Sequence, residues 1–300
     1  MHTRCRSVLG QINRLQSRTQ PHICYSFSRC ASAAASPTIG DVRKLNKLVR
    51  TVKATPVELK FWPLQGNLRI LGFPDASYRN NEDKSSQRAH CIFIAQEKKE
   101  HQKTRGRPGD SAYADTSGSL VDYESHKITS TTMSTTVAEL HALMRCFGSC
   151  LFLRGLWTDI TGEVCDIHIR TDANNLVTTA STTHLPEQKE TTHLIQMLRK
   201  EANSGQMHDL AHVRSAYCLA DALTKASAKP DQLIKSINSG ILERVDEHPP
   251  FRMLLQHKAF MVAWLKKIVS APHQLTHGFG FFGENFESGE DTSLWTSWFE

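Results

Sequence analysis

Three hundred residues, 39% of them hydrophobic, suffice for one generous domain or two small ones around a packed core. The longest strongly apolar run, Ala259 to Leu265 ("AFMVAWL"), falls far short of the roughly 18 residues a transmembrane helix needs, so no membrane contact is expected and the chain reads as a soluble globular protein. A net charge of +6 permits an anionic partner without requiring one, and eight scattered cysteines with no C-x-x-C pair exclude a zinc ribbon or a disulfide framework. That cysteine usage fits a reducing compartment, cytoplasmic or nuclear rather than secreted.

Residues 1–62 read as a helical segment, clearest at "VLGQINRL" and "DVRKLNKLVRTVKA". In the second stretch Leu45, Leu48, Val49 and Val52 form an apolar stripe, while Arg43, Lys47 and Arg50 share another face. That basic face is either a solvated surface or a set of phosphate contacts. The first forty residues hold Arg4, Arg6, Arg14, Arg18 and Arg29 but no acid, a composition shared with mitochondrial transit peptides. From 63 to 240 the pattern changes. Strands are expected at 68–74, 89–95, 119–123, 126–130, 165–171 and 207–213, and helices at 134–155, 174–181, 187–203, 217–226 and 230–238. Several strands in succession, then a helix, then strands separated by helices predict an α/β fold with a mixed sheet covered by helices. Residues 97–118, charged and bearing glycine and proline, read as a surface loop. Residues 241–300 read as an amphipathic helix at 251–269 followed by a disordered or docking tail without periodicity.

Four acids fall where such a sheet can bring them together. Asp75 follows the apolar run "RILGF" behind a proline, and Glu139 lies near the edge of the buried face in "TTMSTTVAELHALMRCF". Asp172 directly follows the strand "CDIHIRT", and Asp221 lies early in a short helix in "CLADALTKAS". Singly, each has an ordinary structural explanation: turn chemistry for Asp75, a dipole-favoured helix start for Asp172 and Asp221, an exposed helix acid for Glu139. Together they can converge on one edge of the sheet, where mutual repulsion calls for divalent metal, magnesium being the natural candidate.

The segment from "LRILGFPDASYRNNEDKSSQ" through "STTVAELHAL", "IRTDANNLV" and "LADALTKA" resembles the ribonuclease H domain at the C-terminal end of the Pol polyprotein of copia-type LTR retrotransposons. Residues 5–52 resemble the tail that links the reverse transcriptase to that domain, which gives the early arginines a place outside any transit peptide. The resemblance covers residues 5–240. It implies a ribonuclease H-like fold: a mixed five-stranded sheet flanked by helices over 63–240, preceded by the helical segment 1–62 and followed by a C-terminal tail, 241–300. It also implies that Asp75, Glu139, Asp172 and Asp221 hold two Mg2+ ions, Mn2+ being a substitute. One ion would activate a water against the scissile phosphate and the other would stabilise the departing 3′ oxygen. Asp75 would bridge both ions from a rigid strand end, although Pro74 removes a ladder donor there.

The family pattern further places substrate contacts at Ser77, Thr135, Thr136 and Asn174, small polar groups that reach 2′-hydroxyls of an RNA–DNA hybrid. A reverse transcriptase polymerase domain is the implied protein partner. Cellular ribonucleases H carry a histidine just before the last aspartate, where this chain has Ala216 and Tyr217; His212, inside the preceding strand, is assigned no role. The alternative is a catalytically inactive retroelement remnant that binds nucleic acid or has no function, favoured by the absence of a Y-x-D-D polymerase motif and by the unfamiliar tail. Four intact carboxylates favour the enzyme. An integrase-type nuclease is disfavoured because such sites use three acids, and "DTSG" at Asp115 to Gly118 resembles an aspartic-protease D-T-G only superficially.

Overall fold

A computed structural model describes residues 2–96, 116–130, 132–182 and 189–242. The helix and tail expected at 251–300, and most of the loop expected at 97–118, lie outside the described residues. Three helices come first, α1 (His2–Gln16), α2 (Cys24–Ser32) and α3 (Ile39–Ala54). α3 begins at a reciprocal capping box: Thr38 Oγ1 accepts from the Asp41 amide at 3.2 Å, and the Asp41 carboxylate accepts from the Thr38 amide at 2.9 Å. Two donors that a helix start leaves unpaired are thereby satisfied. Leu45 and Leu48 turn inward onto Leu9, Ile12 and Ile23, giving the helices a small core of their own. Arg43, Lys47 and Arg50 remain on the exposed side.

The sheet follows. β1 (Leu68–Ser77), β2 (Gln87–Gln96) and β3 (Thr116–Lys127) form an antiparallel meander, from which α4 (Thr135–Thr161) crosses back. β4 (Asp166–Thr171), α5 (Asn174–Ser181), α6 (Lys189–Asn203), β5 (Asp209–His212), α7 (Asp231–Ser239) and β6 (Ile241–Leu242) complete the described chain. The strand order is β5-β4-β1-β2-β3-β6, with β4 and β5 parallel to β1.

Three expectations are corrected. The sheet has six strands rather than five, because Ile241 and Leu242 add a short edge to β3. The segments 119–123 and 126–130 are one continuous strand with an irregularity opposite Ile92 and Phe93. Its central Glu124 is held by Arg88 and Arg145, each at 3.1 Å, and the Ser125 hydroxyl donates to the Leu223 carbonyl, so the polar interruption is absorbed by partners instead of forming a turn. Residues 217–226 are not a helix but part of a segment with two 3-10 turns, Ser215–Tyr217 and Asp221–Leu223. There the Thr224 carbonyl accepts from Ser77 and its hydroxyl reaches Asp75, so tertiary bonds replace the helical ones.

One face of the sheet carries Ile70, Ile92, Ile167 and Ile169 against α4, α5 and α6. The other carries Leu71, Phe73, Cys91 and Phe93 against the segment 213–242. α4 has the length and mean hydropathy to cross a bilayer, but half of its most apolar stretch is buried inside the fold, where it serves as the core helix. It lies close because β1 has a glycine beneath it. A Cβ at Gly72 would sit 2.7 Å from Cys146 Sγ and 3.1 Å from Cys150 Sγ. Gly72→Ala is therefore expected to destabilise the chain by about 1–3 kcal/mol, seen as a lowered denaturant midpoint, with Cys146→Ala in the same chain recovering much of the loss.

The extended stretch between α3 and β1 is tied down at two points. Buried Gln20 brackets Val57, donating to its carbonyl at 2.9 Å and accepting from its amide at 3.2 Å. Trp62 donates from Nε1 to the Ile237 carbonyl at 3.2 Å, and its ring lies over Gly240 so closely that a Cβ there would be 2.6 Å away. Gly240 also takes φ 67° to end α7, so both its backbone conformation and its neighbour require glycine.

Candidate metal centre

The parallel ladder between β1 and β4 runs from Arg69 opposite Asp166 to Gly72 opposite Ile169 and ends there. Pro74 lies past that last rung, so its missing amide takes no bond from this ladder. Asp75 and Asp172 occupy the carboxyl ends of these two neighbouring strands, the place where open sheets of this kind receive ligands. Their carboxylates and the Cys218 thiol lie within 4.8 Å of one another. Glu139 comes from the N-terminal part of α4, whose start is fixed by Ser134 Oγ accepting from the Val137 amide at 3.3 Å. Contrary to the ordinary exposed-acid alternative, Glu139 is buried, and its Oε2 accepts from the Ala76 amide at 3.1 Å. Asp221 closes the group from the turn after β5: its Oδ1 is bonded to Lys225 Nζ, which also lies 3.9 Å from Asp75 Oδ2.

Burial is the largest influence on the two inner acids. It pushes the Asp75 carboxyl up to about 7, with Lys225 opposing and Asp172 adding to the rise. It pushes Glu139 up to about 9, reinforced by Asp75 and Asp172. Lys225 responds in the opposite sense. Burial disfavours its charge, but Asp75 and Asp221 outweigh that and hold its pKa above the ordinary lysine value.

Four partners of this cluster were missed in the sequence. Thr224 Oγ1 donates to Asp75 Oδ2, and Ser215 Oγ donates to Asp172 Oδ2 at 2.8 Å. Lys225 bridges Asp221 and Asp75, and Cys218 Sγ donates to the Pro74 carbonyl at 3.7 Å. Only Lys225, four residues after an aspartate, had a spacing that could have drawn notice. Burial pushes the Cys218 thiol well above its usual range, so it remains protonated. A hard divalent cation would then take the carboxylate oxygens, and convergent acids whose charge is opposed by burial and mutual repulsion form a donor set that fits one.

The residues expected to touch substrate lie in different settings. Thr135 and Asn174 are exposed at the starts of α4 and α5. Thr136 Oγ1 accepts from Asn175 Nδ2 at 2.9 Å, bridging those two helices. Ser77 is buried, with its hydroxyl donating to the Thr224 carbonyl at 2.9 Å. Lys47 of the basic α3 face lines a cavity of about 650 Å3 together with Arg29, Lys44, Asn80 and Ala226, the last adjoining Lys225.

The raised carboxyls give the metal-free protein a pH signature. Folded Asp75 and Glu139 keep their protons to a higher pH than the unfolded chain, whose values are 3.8 and 4.5. Their contribution to stability is complete below those values and is lost as pH rises, by about pH 7 for Asp75 and about pH 9 for Glu139. The unfolding midpoint in chelator is therefore expected to fall between pH 5 and pH 8 by calorimetry, and millimolar Mn2+ to flatten that slope.

The order β5-β4-β1-β2-β3, antiparallel on one side of β1 and parallel on the other, with α4 crossing behind, makes the architecture ribonuclease H-like. No protein-family model matches the chain, and no curated protein does. Among solved structures it is similar to LC11-RNase H1, isolated from compost and solved in complex with an RNA/DNA hybrid, at 14% identity and a TM-score of 0.35 over 52% of this chain and 94% of that one. RNase H1 from the halophilic archaeon Halobacterium salinarum gives 17% identity and a TM-score of 0.34 over the same shares. The protease-reverse transcriptase of prototype foamy virus gives 11% identity and a TM-score of 0.29 over 62% of this chain and 23% of that one.

Proposed function

We propose that this chain is a divalent-metal-dependent ribonuclease that hydrolyses the RNA strand of RNA–DNA hybrids, derived from a copia-type retrotransposon Pol polyprotein and suited to work beside a polymerase domain. The observation that carries this reading is the meeting of Asp75, Glu139, Asp172 and Asp221 at the carboxyl end of β1 and β4 from four separate parts of the chain. When bound, a pair of Mg2+ or Mn2+ ions supplies Lewis-acid activation of water and charge neutralisation at the leaving oxygen.

The protein's own part is positional. Asp75 is fixed by a central strand and oriented by Thr224, and Asp172 is oriented by Ser215. Glu139 is fixed by the Ala76 amide. Thr135, Thr136 and Asn174, near the starts of α4 and α5, would meet 2′-hydroxyls across a shallow minor groove. Arg43, Lys47 and Arg50 are assigned to the phosphate backbone.

The second reading, an inactive remnant, is favoured by one specific feature: the Lys225 ammonium already lies among the carboxylates. A cleavage assay separates the two. With Mg2+ or Mn2+ the full chain should cut the RNA strand of a hybrid and leave RNA and DNA duplexes intact. Folded protein that cuts no hybrid at any metal concentration supports the remnant instead.

A further inference from the structure

Lys225 is built into the acidic cluster by its backbone as well as by its charge. The residue before it is pinned twice, with the Thr224 carbonyl accepting from Ser77 at 2.9 Å and the Thr224 hydroxyl bonded to Asp75. This delivers Lys225 Nζ onto Asp221 Oδ1 and to 3.9 Å from Asp75 Oδ2, while about a third of the side chain stays open to solvent. The Lys225 ammonium contacts Asp221, approaches Asp75 and acts electrostatically on Asp172 and Glu139. A divalent ion held by Asp75 and Asp221 would meet a like charge there. The four-carbon stem of lysine is flexible enough to withdraw toward solvent while its backbone stays fixed.

We propose that Lys225 is a tethered counter-cation that stabilises the metal-free cluster and competes with divalent metal for Asp75 and Asp221, so that it sets the metal affinity of the site. This rests on the nuclease reading and adds to it a residue that tunes when the site is loaded. It is a positioning residue. It acts through the carboxylates, and the remnant reading loses its main support if the ammonium yields to metal.

Calorimetric titration of the full chain with Mn2+, paired with thermal unfolding in chelator, tests the proposal without reference to catalysis. Lys225→Met and Lys225→Gln are expected to bind Mn2+ roughly fivefold or more tightly than the wild type, since an ion pair of this kind is worth about that factor. Both variants should unfold at lower temperature than the wild type in chelator and regain the difference when Mn2+ is added. Lys225→Arg, which keeps the charge, should stay close to the wild type in both measurements. Unchanged or weaker Mn2+ binding in the neutral variants, or unchanged stability in chelator, overturns the proposal while leaving the nuclease reading standing. Failure of the wild type and all variants to bind Mn2+ overturns both.

Discussion

Asp75→Asn is expected to lower hybrid cleavage by about a thousandfold or more, because a metal pair contributes several kcal/mol to the transition state and each ~1.4 kcal/mol is a factor of ten. The variant should not cost stability. Asparagine is isosteric with the protonated carboxyl, its side-chain oxygen still accepts from Thr224, and at pH 8 it removes a buried charge that folding disfavours. The unfolding midpoint of the metal-free variant should therefore equal or exceed that of the wild type at pH 8 and match it near pH 5. Single-turnover cleavage and calorimetry on one preparation read both effects. A variant that lost activity only by unfolding would contradict the assignment of Asp75 to the chemistry.

Asp209→Ala is expected to have the largest effect on stability, about 3–5 kcal/mol, because it breaks a buried ion pair from one side. Arg170 is fully buried in β4, and its Nη2 donates to Asp209 Oδ2 at 2.7 Å in the neighbouring parallel strand. His168 Nδ1 lies 3.5 Å from the same oxygen. Burial opposes the charge on Asp209, yet His168 and Arg170 outweigh it and hold the carboxyl below the usual carboxylate range. His168 itself is pushed down to about 4, chiefly by burial. Arginine cannot relieve the loss by releasing a proton, so the penalty persists at every pH at which the protein folds. Urea denaturation at neutral pH measures it. The double variant Arg170→Met with Asp209→Ala should recover a large part, since an apolar replacement of a whole buried pair is far less costly than half of one.

The contrast between these sites explains what was legible in the sequence. Asp75 and Asp172 stand at ends of strands whose apolar runs are local signals, so their meeting at one sheet edge could be anticipated once the strand order was. Asp221 was anticipated as an acid but placed in the wrong local structure. A helix over 217–226 would have made Lys225 an ordinary i,i+4 partner on an exposed face, whereas the bonds of Thr224 to Ser77 and Asp75 turn it into the cluster. The Arg170–Asp209 pair was invisible for a different reason. Ile167 and Ile169 alternate with His168 and Arg170, a pattern that reads as one buried and one wetted face, yet both faces are buried and the carboxylate that answers Arg170 comes from Asp209, in a strand 39 residues further on. β6, at two residues, is shorter than any period that a sequence can display.

The contact of Trp62 with Gly240 and Ile237 joins a point just before the first strand to a point just before the last. Beside it, the Trp62 amide donates to Ser119 Oγ at 2.8 Å, and the Gly118 amide donates to the Gly240 carbonyl at 2.8 Å. The outer margin of the sheet is thus a seam sewn from both directions, and unpicking either thread loosens the same strand. An excised nuclease starting at Leu68 would surrender Val57, Leu59 and Trp62 along with the helices, so the shortest fragment that keeps this margin closed must carry its leader from before Gln20.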